Sequence, residues 1–233
     1  MNEFDSYAEE YEAALACGIS VSGESADFFA QSRIAWLARC LRQFPLRPHR
    51  ILDFGCGTGT ATRFFFEELG AQFVVGVDTS EESLKIARQR ATGRPASFRL
   101  TEHVPARGDF QLAYCNGVFH HIPVAERDRA ARYVADSLQP GGVFALWENN
   151  PWSPAARLVM SRIPFDKDAI MVWPREARRL LDDSGLKVIQ TDFCFIFPKS
   201  LSALRGMERH LTALPLGAQY LVLAQKPTAD RSG

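Results

Sequence analysis

Ile51-Leu52-Asp53-Phe54-Gly55-Cys56-Gly57-Thr58-Gly59-Thr60 constrains the chain more than any other stretch. Two apolar residues precede an acid, three glycines follow on alternate positions, and a helix-like run occupies 61–69. The pattern predicts a strand, a tight turn and a helix. Glycine lets the backbone turn sharply and lets a ligand approach it closely. The helix start offers unpaired N–H groups and the positive end of its dipole to an anionic group. A dinucleotide fingerprint needs Gly-x-Gly-x-x-Gly, and Thr60 stands where its third glycine belongs. A phosphate-binding loop needs Gly-Lys-Ser/Thr, and this turn holds no lysine.

Further strand and helix signals follow in alternation. Residues 73–77 read as a buried strand closed by Asp78, and Thr79 with Glu82 reads as a capping box for the next helix. Gly70 is placed as the C-cap of the preceding helix. Residues 97–100 and 110–115 read as strands, 126–138 as an amphipathic helix stopped by Pro140-Gly141-Gly142, and 143–147 as a strand. A helix is expected from Pro174 through Asp183, with strands over 187–197 and 219–224. Connections as long as 153–174 are uncommon unless functional, and this one is read as an acceptor-binding lid. Its Arg157, Arg162 and Lys167 are placed either against an anionic group or on a solvated face. A second excursion, 198–218, is expected to add a helix on the same side.

Asp-x-Gly-x-Gly-x-Gly over 53–59 resembles motif I of the class I S-adenosylmethionine (SAM) dependent methyltransferases. Val118-Phe119-His120-His121-Ile122 after the 110–115 strand resembles motif IV, and Leu138-x-Pro140-Gly141-Gly142-x-Phe144 is a further familiar turn. The resemblance is to the small-molecule type 11/12-like members and covers about Arg50 to Ala224. It implies an α/β fold: a Rossmann-like doubly wound seven-stranded sheet, order 3-2-1-4-5-7-6 with the last strand antiparallel, plus N-terminal helices and a lid. The domain is expected at 46–227 behind a helical cap at 1–45, with a flexible tail at 228–233.

The resemblance also implies SAM as cofactor and assigns residues to it. Gly55, Cys56, Gly57 and Gly59 wrap the cofactor, and Asp53 organises the loop and the amino end. Asp78, an acid closing the second strand, takes the ribose hydroxyls, with Thr79 beside it; helix capping alone is the competing role. The adenine contact is expected from Thr101 or Glu102, because Leu100 and Thr101 stand where the family usually carries an acid. Asn116, Gly117 and Val118 line the methionine and sulfonium end, where Phe119 offers an aromatic face. Tyr11, with Phe4, Asp5 and Tyr7, is placed either at the cofactor or in the core. Arg33 either pairs with the cofactor carboxylate or is a surface charge.

Catalytic roles are expected from His120, His121 and Glu148. A histidine beside an acceptor hydroxyl suits a general base. Adjacent residues on an incipient helix point about 100° apart, so at most one histidine is expected to face the pocket; both structural is the competing reading. Glu148 closes its strand either facing the acceptor or facing solvent. No acid or cysteine at ligand spacing joins the histidines, so no metal site is expected.

The expected function is methyl transfer to a small or medium organic, even lipid-like, acceptor. Two other readings stand beside it: a non-catalytic SAM-binding regulator, and a nicotinamide oxidoreductase against which Thr60 argues. Lysine plus arginine and aspartate plus glutamate each number 27, so no global basic field points to nucleic acid. No apolar run reaches a membrane span and the start lacks an apolar leader. The five scattered cysteines suit a reducing cytoplasm.

Overall fold

The computed structural model describes residues 11–166 and 168–228. Seven strands form one sheet in the order β3-β2-β1-β4-β5-β7-β6. They are β1 (Arg50–Phe54), β2 (Phe73–Asp78), β3 (Ala96–Leu100), β4 (Phe110–Asn116), β5 (Leu138–Asn149), β6 (Lys187–Cys194) and β7 (Gln219–Gln225). The five strands β1 to β5 run parallel, while β7 lies antiparallel between β5 and β6. The helices are α1 (Tyr11–Ile19), α2 (Ala26–Leu41), α3 (Thr62–Leu69), α4 (Glu81–Arg90), α5 (Arg127–Ser137), α6 (Pro154–Ser161) and α7 (Pro174–Asp183).

Strand alternation divides the core in two. Ile51, Val74 and Leu221 pack on the face covered by α2 and α3. Their neighbours Leu52, Val75 and Val222 pack on the opposite face with α5 and α7. Successive side chains point to opposite faces, so a central strand buried on both sides must be apolar throughout. Ile51 and Leu52 have no exposure. Truncating either to alanine is worth about 2–5 kcal/mol.

β1 lies between β2 and β4, so the chain leaves the sheet in opposite directions from β1 and β4. This switch point opens a crevice beyond their C-terminal ends. Gly55 and Cys56 N–H both donate to Val77 O, at 2.8 and 3.0 Å, and tie the turn after β1 to β2.

Several boundaries differ from the sequence expectation. Ser80, not Thr79, caps α4: its side chain accepts from Ser83 N–H at 3.2 Å, while Thr79 N–H is taken by Asp78. α5 stops at Ser137, before the Pro-Gly-Gly turn, and β5 begins at Leu138 with a register shift against β4. β6 ends at Cys194 because Phe195 adopts φ 64. At Gly217 a Cβ would stand 2.1 Å from Cys194 O, so the return chain crosses here only as glycine. Residues 199–210 wind as 3₁₀ turns rather than an α-helix.

Candidate active site

A cavity of about 770 Å³ fills the crevice, within the size range of small-molecule sites. Its floor is the Gly-rich turn and the ends of β4 and β5, and its roof comes from α2, α6 and the 195–209 segment. Of the residues expected at the site, Arg33, Asp53, Gly55, Cys56, Gly57, Asn116, Gly117, His120 and His121 all line it.

The Gly-rich turn has divided duties. A Cβ on Gly55 would lie 2.2 Å from Val118 Cγ2, so this glycine and Val118 serve each other's packing. Gly59 faces Ala87 of α4 at 3.0 Å in the same sense. Gly57, at φ 51, has nothing within 4 Å of its Cβ position and leaves its backbone open to a ligand. Its N–H donates to Asp78 Oδ2 at 2.8 Å. Asp78 Oδ1 accepts from Thr79 and Ser80 N–H at 2.7 and 3.0 Å. Arg90 of α4 holds the turn from outside, donating to Thr58 and Thr60 hydroxyls at 2.8 and 3.1 Å. Nothing in the spacing of the glycines announces that clamp.

Three buried polar atoms of the cavity wall have no partner among the described residues: Asp53 Oδ2, Asn116 Oδ1 and Trp147 Nε1. Buried polar groups are ordinarily paired, so such a group in a cavity wall fits a ligand's polar atoms. Burial, and then the charge of Asp78, pushes the Asp53 carboxyl up to about 8. A cationic group beside it would favour the carboxylate. Arg33 donates from Nε to the Tyr114 hydroxyl at 3.2 Å and from Nη1 to Gln219 at 2.9 Å, so it is a wall residue rather than a surface charge.

The histidines line the wall beside Gly117, whose Cβ position lies 3.5 Å from His120 Cε1. Phe119–His121 forms a 3₁₀ turn, and Ile170 N–H donates to His120 O at 2.9 Å, pinning the 153–174 excursion onto it. Both rings line the cavity with centroids 4.2 Å apart, which corrects the expectation that only one would. Glu148 is fully buried and is absent from the cavity wall, so it neither faces the acceptor nor solvent. Its Oε1 accepts from Phe119 N–H at 2.8 Å and its Oε2 lies 2.6 Å from His120 Nδ1. Glu148 therefore fixes the turn and orients His120.

Asp166, on the turn Pro164–Asp166 of the excursion, completes the cluster. Its Oδ1 stands 3.2 Å from His121 Nε2 and 3.6 Å from His120 Nε2. Burial alone would lower the His120 pKa, but the charges of Glu148 and Asp166 and their hydrogen bonds outweigh it and raise it to about 10. Asp166 moves the other way: burial would raise it, yet its bonds to both histidines hold it below the ordinary carboxylate value. No spacing rule links 120–121 to 166, and only the folded excursion reveals this partner.

Other expected residues fall elsewhere. Thr101 and Glu102 form a 3₁₀ turn after β3 and do not line the cavity; Glu102 is exposed. Asp78, Thr79, Gly59 and Val118 are not among the lining residues, and Asp78 meets the cavity through Gly57, whose N–H it accepts. Trp152 and Trp173 pack on each other at 5.4 Å and are also outside the wall, whereas Phe165, Phe195 and Phe197 are part of it. Arg157 donates to Pro151 O at 2.8 Å instead of facing an anion. Lys167, Phe4, Asp5, Tyr7 and the Tyr11 side chain lie outside the described residues.

Residues 51–142 match the methyltransferase domain family. Over those residues the chain matches a methyltransferase domain, and its strand order is that of the class I SAM-dependent methyltransferase fold. SAM is the cofactor that this domain implies, and the open Gly57 backbone and the orphaned atoms of Asp53 and Asn116 fit it. The trans-aconitate 2-methyltransferase of Rhodopseudomonas palustris is 26% identical over 140 residues, 60% of this chain and 54% of that protein. The ubiquinone biosynthesis O-methyltransferase of Idiomarina loihiensis is 28% identical over 195 residues, 76% of this chain and 75% of that protein. The matched stretch thus spans about half the length of the first of these relatives. A SAM-dependent methyltransferase structure from Thermotoga maritima shares the fold with a TM-score of 0.62 and 22% identity, covering 96% of this chain and 97% of its own. The methyltransferase domain has no helix among the described residues long and apolar enough to cross a membrane.

Proposed function

We propose that this chain transfers a methyl group from SAM to a small or medium organic acceptor, leaving S-adenosylhomocysteine. The observation that carries the reading is one cavity with two unlike polar groups of residues. Gly57 and the unpartnered Asp53 oxygen serve the cofactor, while Asn116 and Gly117 adjoin His120, His121 and Asp166, and all of them line the same cavity. When bound, SAM supplies a methyl group already activated on a sulfonium sulfur. The chain's own task is then positioning, desolvation and the handling of one proton.

Asp53 takes the cofactor's amino end and Asp78 its ribose, each carboxylate oxygen having further acceptor capacity beyond its present bonds. Asn116 and Gly117 border the reacting end. The wall of Phe29, Phe165, Phe195 and Phe197 excludes water and favours an acceptor with an apolar body. His121, beside Asp166, receives the acceptor's heteroatom and its proton, and His120, held between Glu148 and Asp166, orients that pair. Glu148 acts through His120 as a positioning residue, which revises its place among the catalytic groups. The name of the ubiquinone-biosynthesis relative, an O-methyltransferase, supports an oxygen acceptor, and that of the trans-aconitate relative supports a small organic molecule.

The test is an acceptor screen with labelled SAM, run beside titration with S-adenosylhomocysteine. Binding with turnover on an oxygen acceptor supports the reading. Binding without turnover across small-acid, phenol and amine pools supports a SAM-binding regulator instead.

A further inference from the structure

We propose that His120, His121 and Asp166 form a binding site for one divalent transition-metal cation, with Glu148 as the carboxylate that orients His120 from behind. The three residues each offer one ligand atom, all within 4.8 Å of one another. Ligand atoms about 2.0–2.2 Å from one tetrahedral metal lie roughly 3.3–3.6 Å apart. Asp166 Oδ1 stands 3.2 Å from His121 Nε2 and 3.6 Å from His120 Nε2, which matches that spacing.

The surroundings of the cluster match as well as its distances. Metal-binding histidines usually give their second ring nitrogen to a carboxylate, which fixes the tautomer. Glu148 Oε2 lies 2.6 Å from His120 Nδ1 and leaves Nε2 turned to Asp166. Glu148 is itself anchored by Phe119 N–H, so this arm is rigid. Asp166 and Glu148 together supply two negative charges, which balance a divalent cation when both rings are neutral. The carboxylate ligand arrives on the excursion, whose Ile170 N–H is tied to His120 O, so the third ligand is held by backbone as well.

Three protein ligands leave a position for a further donor, the arrangement of catalytic rather than structural sites. All three ligands line the cavity, so that position faces the acceptor end. An imidazole pair with one carboxylate suits zinc, iron, cobalt or manganese and is a poor fit for magnesium. A cation here would hold an acceptor hydroxyl and lower its pKa, taking over from the rings, which as ligands no longer accept the proton. That consequence rests on the acceptor reading above; the binding of the ion does not.

The experiment uses the full chain stripped of metal. It is titrated with Zn²⁺ by calorimetry and with Co²⁺ by visible absorption, and each sample is also titrated with S-adenosylhomocysteine. One equivalent of either ion is expected. Asp166→Asn and His121→Ala are expected to weaken it at least tenfold, and Glu148→Gln by about 10–100-fold. Asp166→Asn is nearly isosteric, and unchanged circular dichroism shows that it folds. No saturable binding of either ion by the folded chain overturns the proposal, as does equal affinity in Asp166→Asn, His121→Ala and the parent. Ion binding without S-adenosylhomocysteine binding upholds the metal site and removes the methyltransferase reading.

Discussion

Asp53 is the residue on which cofactor binding and stability meet. It is buried and lifted to about 8 by desolvation first and by Asp78 second. Between the ordinary value of 3.8 and about 8 the folded chain keeps a proton that the unfolded chain has lost. Stability therefore falls as pH rises through that window. Asp53→Asn removes the dependence. At about pH 8 its Tm is expected to exceed that of the parent, by roughly 2–4 °C per kcal/mol recovered. The same change is expected to weaken S-adenosylhomocysteine by about 1.5–3 kcal/mol, since a charge-assisted bond is lost. Thermal melts across pH and calorimetry check both signs. His121 is the complementary case, because it faces the acceptor end. His121→Ala is expected to lower turnover by about 10²–10⁴ while cofactor affinity stays within a factor of two. A parallel loss of affinity would show that the ring holds the cofactor instead.

At this scale the sequence was informative where chemistry is local. The acid before the glycines, Gly55 and Gly57, and the paired histidines each lie in a short contiguous motif, and they reach the cavity. Glu148 was placed at the right strand end but on the wrong errand, because period-2 alternation cannot say that a carboxylate turns back onto the preceding loop. Asp166 could not be paired with the histidines at all, since 44 residues of helix, strand and excursion separate it from His121.

Among the elements, the segment after β6 shapes the cavity most. Phe195 is the non-glycine residue with positive φ among the described residues, a conformation that costs of order 1–3 kcal/mol. Its ring packs on Phe29 at 5.1 Å and stands 6.1 Å from Trp147, so the strained backbone delivers an aromatic wall. Glu208 compensates by accepting from the N–H groups of Phe195, Ile196 and Phe197 at 3.2, 3.1 and 2.9 Å. Glu208→Ala should destabilise the chain by about 1.5–3 kcal/mol in denaturant melts and raise the acceptor KM more than it lowers kcat. An unchanged KM would place the acceptor elsewhere. The alternation of Phe193 to Phe197 predicted a strand through to 197. The left-handed turn at a phenylalanine carries no sequence signal, because it is set by tertiary contacts with Gly217 and Glu208. The helix expected over 174–183 matched to the residue, since Pro174 at its start and Gly185 beyond its end act locally.

Across the whole molecule, alternating strand and helix signals made the α/β class legible, while the strand order came with the motif resemblance. β7 returns antiparallel between β5 and β6, and the 195–218 segment that makes the return also supplies part of the cavity roof. What the sequence could not supply is how two remote excursions roof one cavity. Arg205, from the 199–210 turns, pairs with Glu24 at 2.9 Å and lies over the Phe28 ring at 4.6 Å, joining that roof to the start of α2. The central claim is that this cavity is a cofactor site. It is tested most directly by calorimetric titration of the full chain with S-adenosylhomocysteine, with Asp78→Ala beside it. The expected result is saturable micromolar binding of one equivalent, weakened at least tenfold in the variant. A folded parent chain that binds none, or a variant that binds equally well, would contradict it.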